Sequence, residues 1–337
     1  HMVDNSLISG DPNTPENRGT GDLSRVEDDP LQALSVIPRL EVGPVRLERR
    51  RVLAPYRVIG HDTDETIDLT YRFEEDVFDP REPASINLAS MMAAQVALNY
   101  GLFCEEIVFQ GQFDTVDRRF IEEMAKNTAR EIFVNKLLEP NPFLIGSINK
   151  LPPVKLKSYL RAKIQFSDMY TGSDPKPLGN EEDNDSWNIE KSRHAVLSSG
   201  GKDSLLSFGL LKEIGCEVHP IFINESGRHW FTALNAYRHF NKNADNTARV
   251  WTNADRVFSW MLRHLPFVRQ DFDRVRSDEY PIRLWTVAVF LFGALPLLRK
   301  RGIARLIVGD EFDTTRRISY KGVPHYDGLY DQSCYFD

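Results

Sequence analysis

The hexapeptide Ser199-Gly200-Gly201-Lys202-Asp203-Ser204 constrains this chain more than any other segment. It lies between a short apolar run, His194 to Ser198, and a helical pattern from about Asp203 to Ile214 that stops at Gly215. It therefore reads as a tight connection from a strand into a helix. At such a turn, backbone N–H groups and the positive end of the helix dipole converge on an anion. Two adjacent glycines let the main chain approach phosphate oxygens closely, because neither carries a Cβ. Lys202 adds a positive charge, and the Ser199 and Ser204 hydroxyls can donate hydrogen bonds. Asp203 would repel bare pyrophosphate, so its natural role is to hold a Mg²⁺ that bridges the phosphates. The plain alternative is a Gly-rich turn that caps a helix and binds nothing; the strand before it and the helix after it favour the phosphate site.

Downstream the rhythm stays strand–helix. Strands are expected at Val218–Ile223, Ala248–Trp251 and Leu306–Val308, with helices near 229–240, 255–264 and 281–299. Such alternation implies a parallel sheet wrapped by helices, with ligands at the carboxyl ends of the strands. Upstream, Ile67 to Phe73 alternates at period two like a half-buried strand. Residues 85–101 read as a helix ending at Gly101, Ile107–Phe109 as a short strand, and 115–138 as an amphipathic helix. The chain thus divides into a flexible leader (1–44), a small α+β domain (45–170), a polar acidic linker (171–192) and a parallel-sheet α/β domain (193–337). The leader is assigned because residues 3–35 carry too few large apolar groups to offset their ordering entropy. No internal repeat is evident.

Composition narrows the function classes. Hydrophobic residues make up 41% and charged residues 27%, as in an ordinary soluble protein. The net charge of −7 supplies no overall attraction for nucleic acid. Cys104, Cys216 and Cys334 are odd in number and far apart, which points to a reducing compartment, the cytoplasm, and to no metal cluster. Cys334, flanked by Tyr335 and Phe336, reads as a buried structural thiol in preference to a reactive one. His1-Met2 has the look of a cloning remnant, and no signal peptide follows it. The apolar stretch Leu284–Leu298 is interrupted by Gly293 and Pro296 and is shorter than the roughly 20 residues a bilayer span needs, so it is a buried helix.

The loop lacks the spacing of nucleotide loops that release inorganic phosphate. It resembles the Ser-Gly-Gly-x-Asp-Ser signature of the ATP pyrophosphatase superfamily, which implies an adenine nucleotide α-hydrolase-like domain that splits ATP into AMP and pyrophosphate. Five further segments narrow the resemblance: Asn224 to Trp230, Thr247 to Asn253, Tyr280 to Trp285, Gly309 to Arg316 and His325 to Ser333. With Ser198 to Leu206 they resemble the UDP-N-acetylmuramoyl-L-alanyl-L-glutamate epimerase family, from about residue 194 to the end and more weakly before it. The resemblance implies ATP and Mg²⁺ as cofactors, a UDP-muramoyl dipeptide as substrate, and inversion of its terminal L-glutamate in peptidoglycan precursor synthesis. It also implies a cysteine-containing C-terminal portion beyond Asp337, and so a chain shortened at that end.

Several residues become candidates beside the loop. Lys202 and Asp203 are expected to act on the phosphates, with Asp203 and Asp310 on the metal. His229, Asp313 and His325 are candidates for proton transfer, and Arg228, Arg316, Tyr326 and Asp331 for substrate contact. Each has a plainer role open to it: Arg228 and His229 as helix-capping or surface groups, Asp310 to Asp313 as a solvated acidic loop, Arg316 and Arg317 as exposed cations. Nothing separates the proton carriers in the loop from His325 to Cys334. Two other classes remain. A tRNA-modifying or carboxylate-amidating enzyme would use the same adenylation, but no basic domain or cysteine pair accompanies the loop. A non-catalytic nucleotide sensor would not need both Lys202 and Asp203.

Overall fold

The computed structural model describes residues 31–168, 187–277, 280–284, 286–309 and 317–326. In chain order the elements are β1 (Ile37–Val42), β2 (Arg46–Glu48), β3 (Arg51–Ile59), β4 (Asp64–Phe73), α1 (Pro83–Ala94), β5 (Cys104–Gln110), α2 (Thr115–Ile132) and β6 (Lys163–Ser167). Then follow β7 (Glu190–Leu197), α3 (Lys202–Glu213), β8 (Glu217–Asn224), α4 (Arg228–Asn243), β9 (Ala248–Thr252), α5 (Ala254–Leu262), α6 (Val287–Arg301), β10 (Ile303–Ile307), β11 (Arg317–Tyr320) and β12 (Val323–Tyr326).

The protein is α/β, built on a large mixed sheet. Its main path runs β10-β7-β8-β9-β4-β3-β1-β5-β6, with β2 attached to β3. The pairs β10–β7, β7–β8, β8–β9, β1–β5 and β5–β6 are parallel, while β4–β9, β3–β4, β1–β3 and β2–β3 are antiparallel. Burial follows from position. β3 alternates between buried and half-exposed residues, whereas β8, flanked on both sides, is buried almost end to end. β11 and β12 form a separate hairpin.

One sheet therefore runs through both of the expected units. The seam is the antiparallel pairing of Tyr71 with Thr252, Arg72 with Trp251 and Phe73 with Val250. Asn253 fastens it: its Oδ1 accepts the Thr70 N–H at 2.7 Å and its Nδ2 donates to Asp68 O at 2.8 Å. On α6, Arg299 is paired with Glu82 beside α1, and Arg301 with Glu75 after β4. The Arg299 guanidinium holds the Glu82 carboxyl below its ordinary pKa.

The expected leader is corrected from residue 31 onward. Leu31, Leu34, Ile37, Leu40 and Val42 are fully buried, because β1 is wedged between β3 and β5. The expected linker is corrected at its end, where Glu190–Ser192 already belong to β7. Residues 1–30 and 169–186 lie outside the described residues. The helix expected over 281–299 begins only at Val287, since the backbone before it is captured by two side chains. The Leu284 N–H donates to Asn99 Oδ1 at 2.9 Å, and Asn141 Nδ2 donates to Pro281 O at 2.8 Å. Among the described residues, no helix is long and apolar enough to cross a membrane.

Candidate active site

Strand β7 delivers the loop from the core: Ala195 and Val196 are buried, and the Ser198 N–H still bonds Ile221 O of β8 at 2.9 Å. The chain then turns at Gly200, whose φ of 77° lies in the left-handed region. A Cβ there would stand 3.1 Å from Ala233 Cα and 3.2 Å from Thr232 O, so the turn is pressed against α4. Ser198 Oγ accepts the Gly200 N–H at 3.3 Å, and Ser199 Oγ accepts the Gly201 N–H at 3.4 Å. The Ser204 hydroxyl, expected on phosphate, is buried and donates to Gly201 O at 3.0 Å. It braces the loop from beneath.

Helix α3 starts with Gly201 as its cap residue and no side-chain cap. Its first intrahelical bond joins the Leu205 N–H to Gly201 O at 3.2 Å. The N–H groups of Lys202, Asp203 and Ser204 precede that bond and point out of the helix end. Lys202 and Asp203 are exposed, and neither side chain has a hydrogen-bond or ion-pair partner among the described residues.

Strand order places this helix end at a reversal. From β7 the chain steps outward to β8 and β9, then returns through α6 to β10 on the other side of β7. A crevice at the carboxyl edge is expected where the order reverses. The chain leaving β10 closes on the loop, since a Cβ at Gly309 would stand 2.8 Å from Asp203 Cβ and 3.7 Å from the Ser204 nitrogen. Asp310, Asp313 and Arg316 follow Gly309 in the chain and, with Asp331 and Cys334, lie outside the described residues.

One strand further along the same edge, a cavity of about 350 Å³ opens between the starts of α4 and α5. His229, in the first turn of α4, lines it, with its ring 5.8 Å from that of Tyr280. Arg228 opens the same helix. Tyr100 and Phe143 come from the first half of the chain and form apolar wall. Arg283 is 7% exposed, and its Nη2 donates to Asp255 Oδ1 at 2.6 Å. Its guanidinium carbon lies 3.5 Å from the Tyr280 ring centroid and 4.5 Å from that of Phe258, while its buried Nε–H has no hydrogen-bond partner among the described residues.

Behind His229 lies Glu225, 3% exposed, whose Oε1 also lacks a hydrogen-bond partner among the described residues. Burial pushes its carboxyl above the ordinary value, against the fields of His229 and Arg283, with Asp255 adding to the rise. A Cβ at Gly227 would lie 3.2 Å from Glu225 Oε1 and 3.3 Å from Asp255 Oδ1, so the two carboxyl groups come close together where that glycine has no side chain. The intervening Ser226 sits at a φ of 64°, held by its N–H on Asn224 Oδ1 at 2.9 Å and its hydroxyl on Thr252 O at 3.1 Å. Glu225, Asp255, Tyr280 and Arg283 were given no role by sequence reasoning. Only the closeness of Glu225 to the end of an apolar strand hinted at the site.

His325 does not join this edge. It is buried on β12 with Nδ1 3.6 Å from Glu131 Oε2 of α2, and neither ring nitrogen has a hydrogen-bond partner among the described residues. This candidate for proton transfer thus sits in a packed contact with the helix of the first half. Tyr326 pairs through its backbone with Arg317 in the same hairpin. Compared with protein-family models, curated proteins and solved structures, the chain matches none.

Proposed function

We propose that this chain is an ATP-dependent enzyme that adenylates a carboxylate and releases pyrophosphate, and that its acid is the terminal L-glutamate of UDP-N-acetylmuramoyl-L-alanyl-L-glutamate, which it epimerises. The observation that carries the adenylation is the helix end at the strand reversal, with outward N–H groups and an unpartnered lysine and aspartate side by side. The epimerase assignment rests on the resemblance of Asn224–Trp230, Tyr280–Trp285 and the other segments quoted above.

In this reading the N–H groups of Lys202, Asp203 and Ser204, together with the Lys202 ammonium, hold the β- and γ-phosphates. Asp203, exposed and unpartnered, fits a Mg²⁺ ligand; bound there, the ion would offset phosphate charge. A carboxylate oxygen of the substrate attacks the α-phosphorus, the bond to the β-phosphate oxygen breaks, and pyrophosphate leaves. Adenylation removes the negative charge from the carboxylate, so the α-hydrogen becomes acidic enough for a side-chain base. Reprotonation from the opposite face and hydrolysis yield the D-isomer and AMP. ATP and a UDP-linked substrate would place the reaction in the cytoplasm.

Isotope exchange tests the proposal. In D₂O, with MgATP and the L-glutamyl muramoyl dipeptide, the D-glutamyl product should carry deuterium at the α-carbon, and no exchange should occur without ATP. AMP and pyrophosphate formed alongside undeuterated L-isomer would overturn the epimerase reading and point to ligation, amidation or hydrolysis. Absence of any pyrophosphate release would overturn the adenylation.

A further inference from the structure

We propose that the cavity between the starts of α4 and α5 is the acid-binding subsite, in which the Arg283 Nε–H takes the substrate carboxylate and the neighbouring Glu225 carboxyl takes up a proton as it binds. This rests on the adenylation reading for its place in catalysis, but its evidence is separate from the loop.

Three observations converge. First, Arg283 is a buried cation with work left undone. One arm is committed to Asp255, its planar face is held by Tyr280 and Phe258, and its Nε–H has no acceptor among the described residues. A buried donor on a charged group is costly to leave unpaired, and a carboxylate is the planar anion that a guanidinium edge fits. Second, the cavity is about 350 Å³, within the range of small-ligand pockets, and combines aromatic wall from Tyr100 and Phe143 with Asp255, His229 and Tyr280. An acyl chain ending in a carboxylate can lay its methylene groups on that wall and direct a peptide N–H to Asp255. Third, Glu225 Oε1 is also buried and has no partner among the described residues, and it lies with the Asp255 carboxyl at the Cβ side of Gly227.

The charges around Glu225 make proton uptake a consequence of binding. Its carboxyl faces His229 of α4, Asp255 of α5 and Arg283 before α6. Burial is the largest influence and raises its pKa, opposed by a backbone hydrogen bond, His229 and Arg283 and aided by Asp255. A ligand carboxylate on Arg283 would offset the cation that now favours the ionised form. Glu225 then gains proton affinity, and the proton comes from solvent. The subsite lies one strand from the loop on the same sheet edge, and Gly200 is packed against the helix that begins with Arg228 and His229. An acid anchored at Arg283 would therefore approach the nucleotide across the start of α4.

Calorimetric titration of the full chain with L-alanyl-L-glutamate, in buffers of different ionisation enthalpy across the neutral range, tests the proposal. Saturable binding with net proton uptake is expected in the wild type. R283Q and R283K, the second retaining a charge beside Asp255, should each weaken dipeptide binding by at least about tenfold, as loss of a charge-assisted donor does. E225Q should bind the dipeptide within about threefold of wild type but lose the buffer dependence. A cooperative melt establishes folding for each variant. No dipeptide binding, wild-type affinity in R283K, or persisting proton uptake in E225Q would overturn the subsite. A parallel titration with MgATP separates the two readings: K202A should lose nucleotide affinity while R283K keeps it. Retained MgATP affinity in K202A would defeat the loop assignment and leave the acid subsite standing.

Discussion

Gly200 and Gly309 both confine the loop from Ser199 to Ser204, the first pressed against α4 and the second against Asp203. Gly200→Ala would place a Cβ at a left-handed φ and against backbone, so it should cost about 2 kcal/mol in urea unfolding. Gly309→Ala would drive a methyl into Asp203 Cβ and should weaken MgATP binding by roughly tenfold in a titration, because small displacements at a reacting site are costly. Binding equal to wild type would show that the β10 exit does not set the Asp203 position. Lys202→Ala and Asp203→Ala, in contrast, alter exposed side chains. Both should abolish pyrophosphate release and leave the melting temperature within a few degrees. Glu225 adds a pH effect. Its folded pKa is raised, so above the ordinary value of 4.5 the native state holds more proton than the unfolded chain, and stability falls as pH climbs through the folded pKa. Glu225→Gln removes that slope, and the variant should gain on wild type as pH rises. Denaturation curves at a series of pH values that show the opposite trend would refute the assignment of Glu225 as a destabilised carboxylate.

Elements whose signals are local were legible before the fold was known. The run from β7 through α5 is bounded by Gly201, Gly215 and Gly227 and alternates short strands with helices, and its observed ends fall within a few residues of the expected ones. α2 has a reciprocal cap, with Asp114 accepting the Asp117 N–H at 2.7 Å and Asp117 accepting the Asp114 N–H at 3.0 Å. What escaped depends on distant partners. β1 reads as polar because Arg39 and Glu41 interrupt its apolar positions, yet those charges pair with each other and Arg39 also with Glu106. The segment before α6 has helical spacing, but the group that captures the Leu284 N–H stands 185 positions earlier. The loop half of the candidate site was visible as a string of six residues. The cavity half is assembled from residues as far apart as Tyr100 and Arg283, and burial is the largest influence on the Glu225 carboxyl. Asn253 shows what such distant ties contribute to an element. Asn253→Ala removes two short bonds from the β4–β9 seam and should cost about 2–3 kcal/mol in chemical denaturation.

At the scale of the molecule, continuity of the sheet sets how the protein unfolds. The chain should melt in one transition, and pieces covering 1–168 and 187–337 should show native circular dichroism only when mixed, since each exposes one side of the β4–β9 seam. Independent folding of the second piece would show that the seam is dispensable. The position of β10 has a further consequence, for synthesis on the ribosome. β7 emerges with β8 and β9 soon after it, but its other edge is covered only when β10 has been made, roughly a hundred residues later. At bacterial or eukaryotic elongation rates that interval is on the order of 5–20 s. During it a strand with an open edge and an apolar end at Ala195–Leu197 leads directly into the candidate loop, and a chaperone or a second nascent chain can reach it first. The side of β7, the strand that leads into the candidate loop, is thus the last part of the sheet to be closed and the part most exposed to failure at birth.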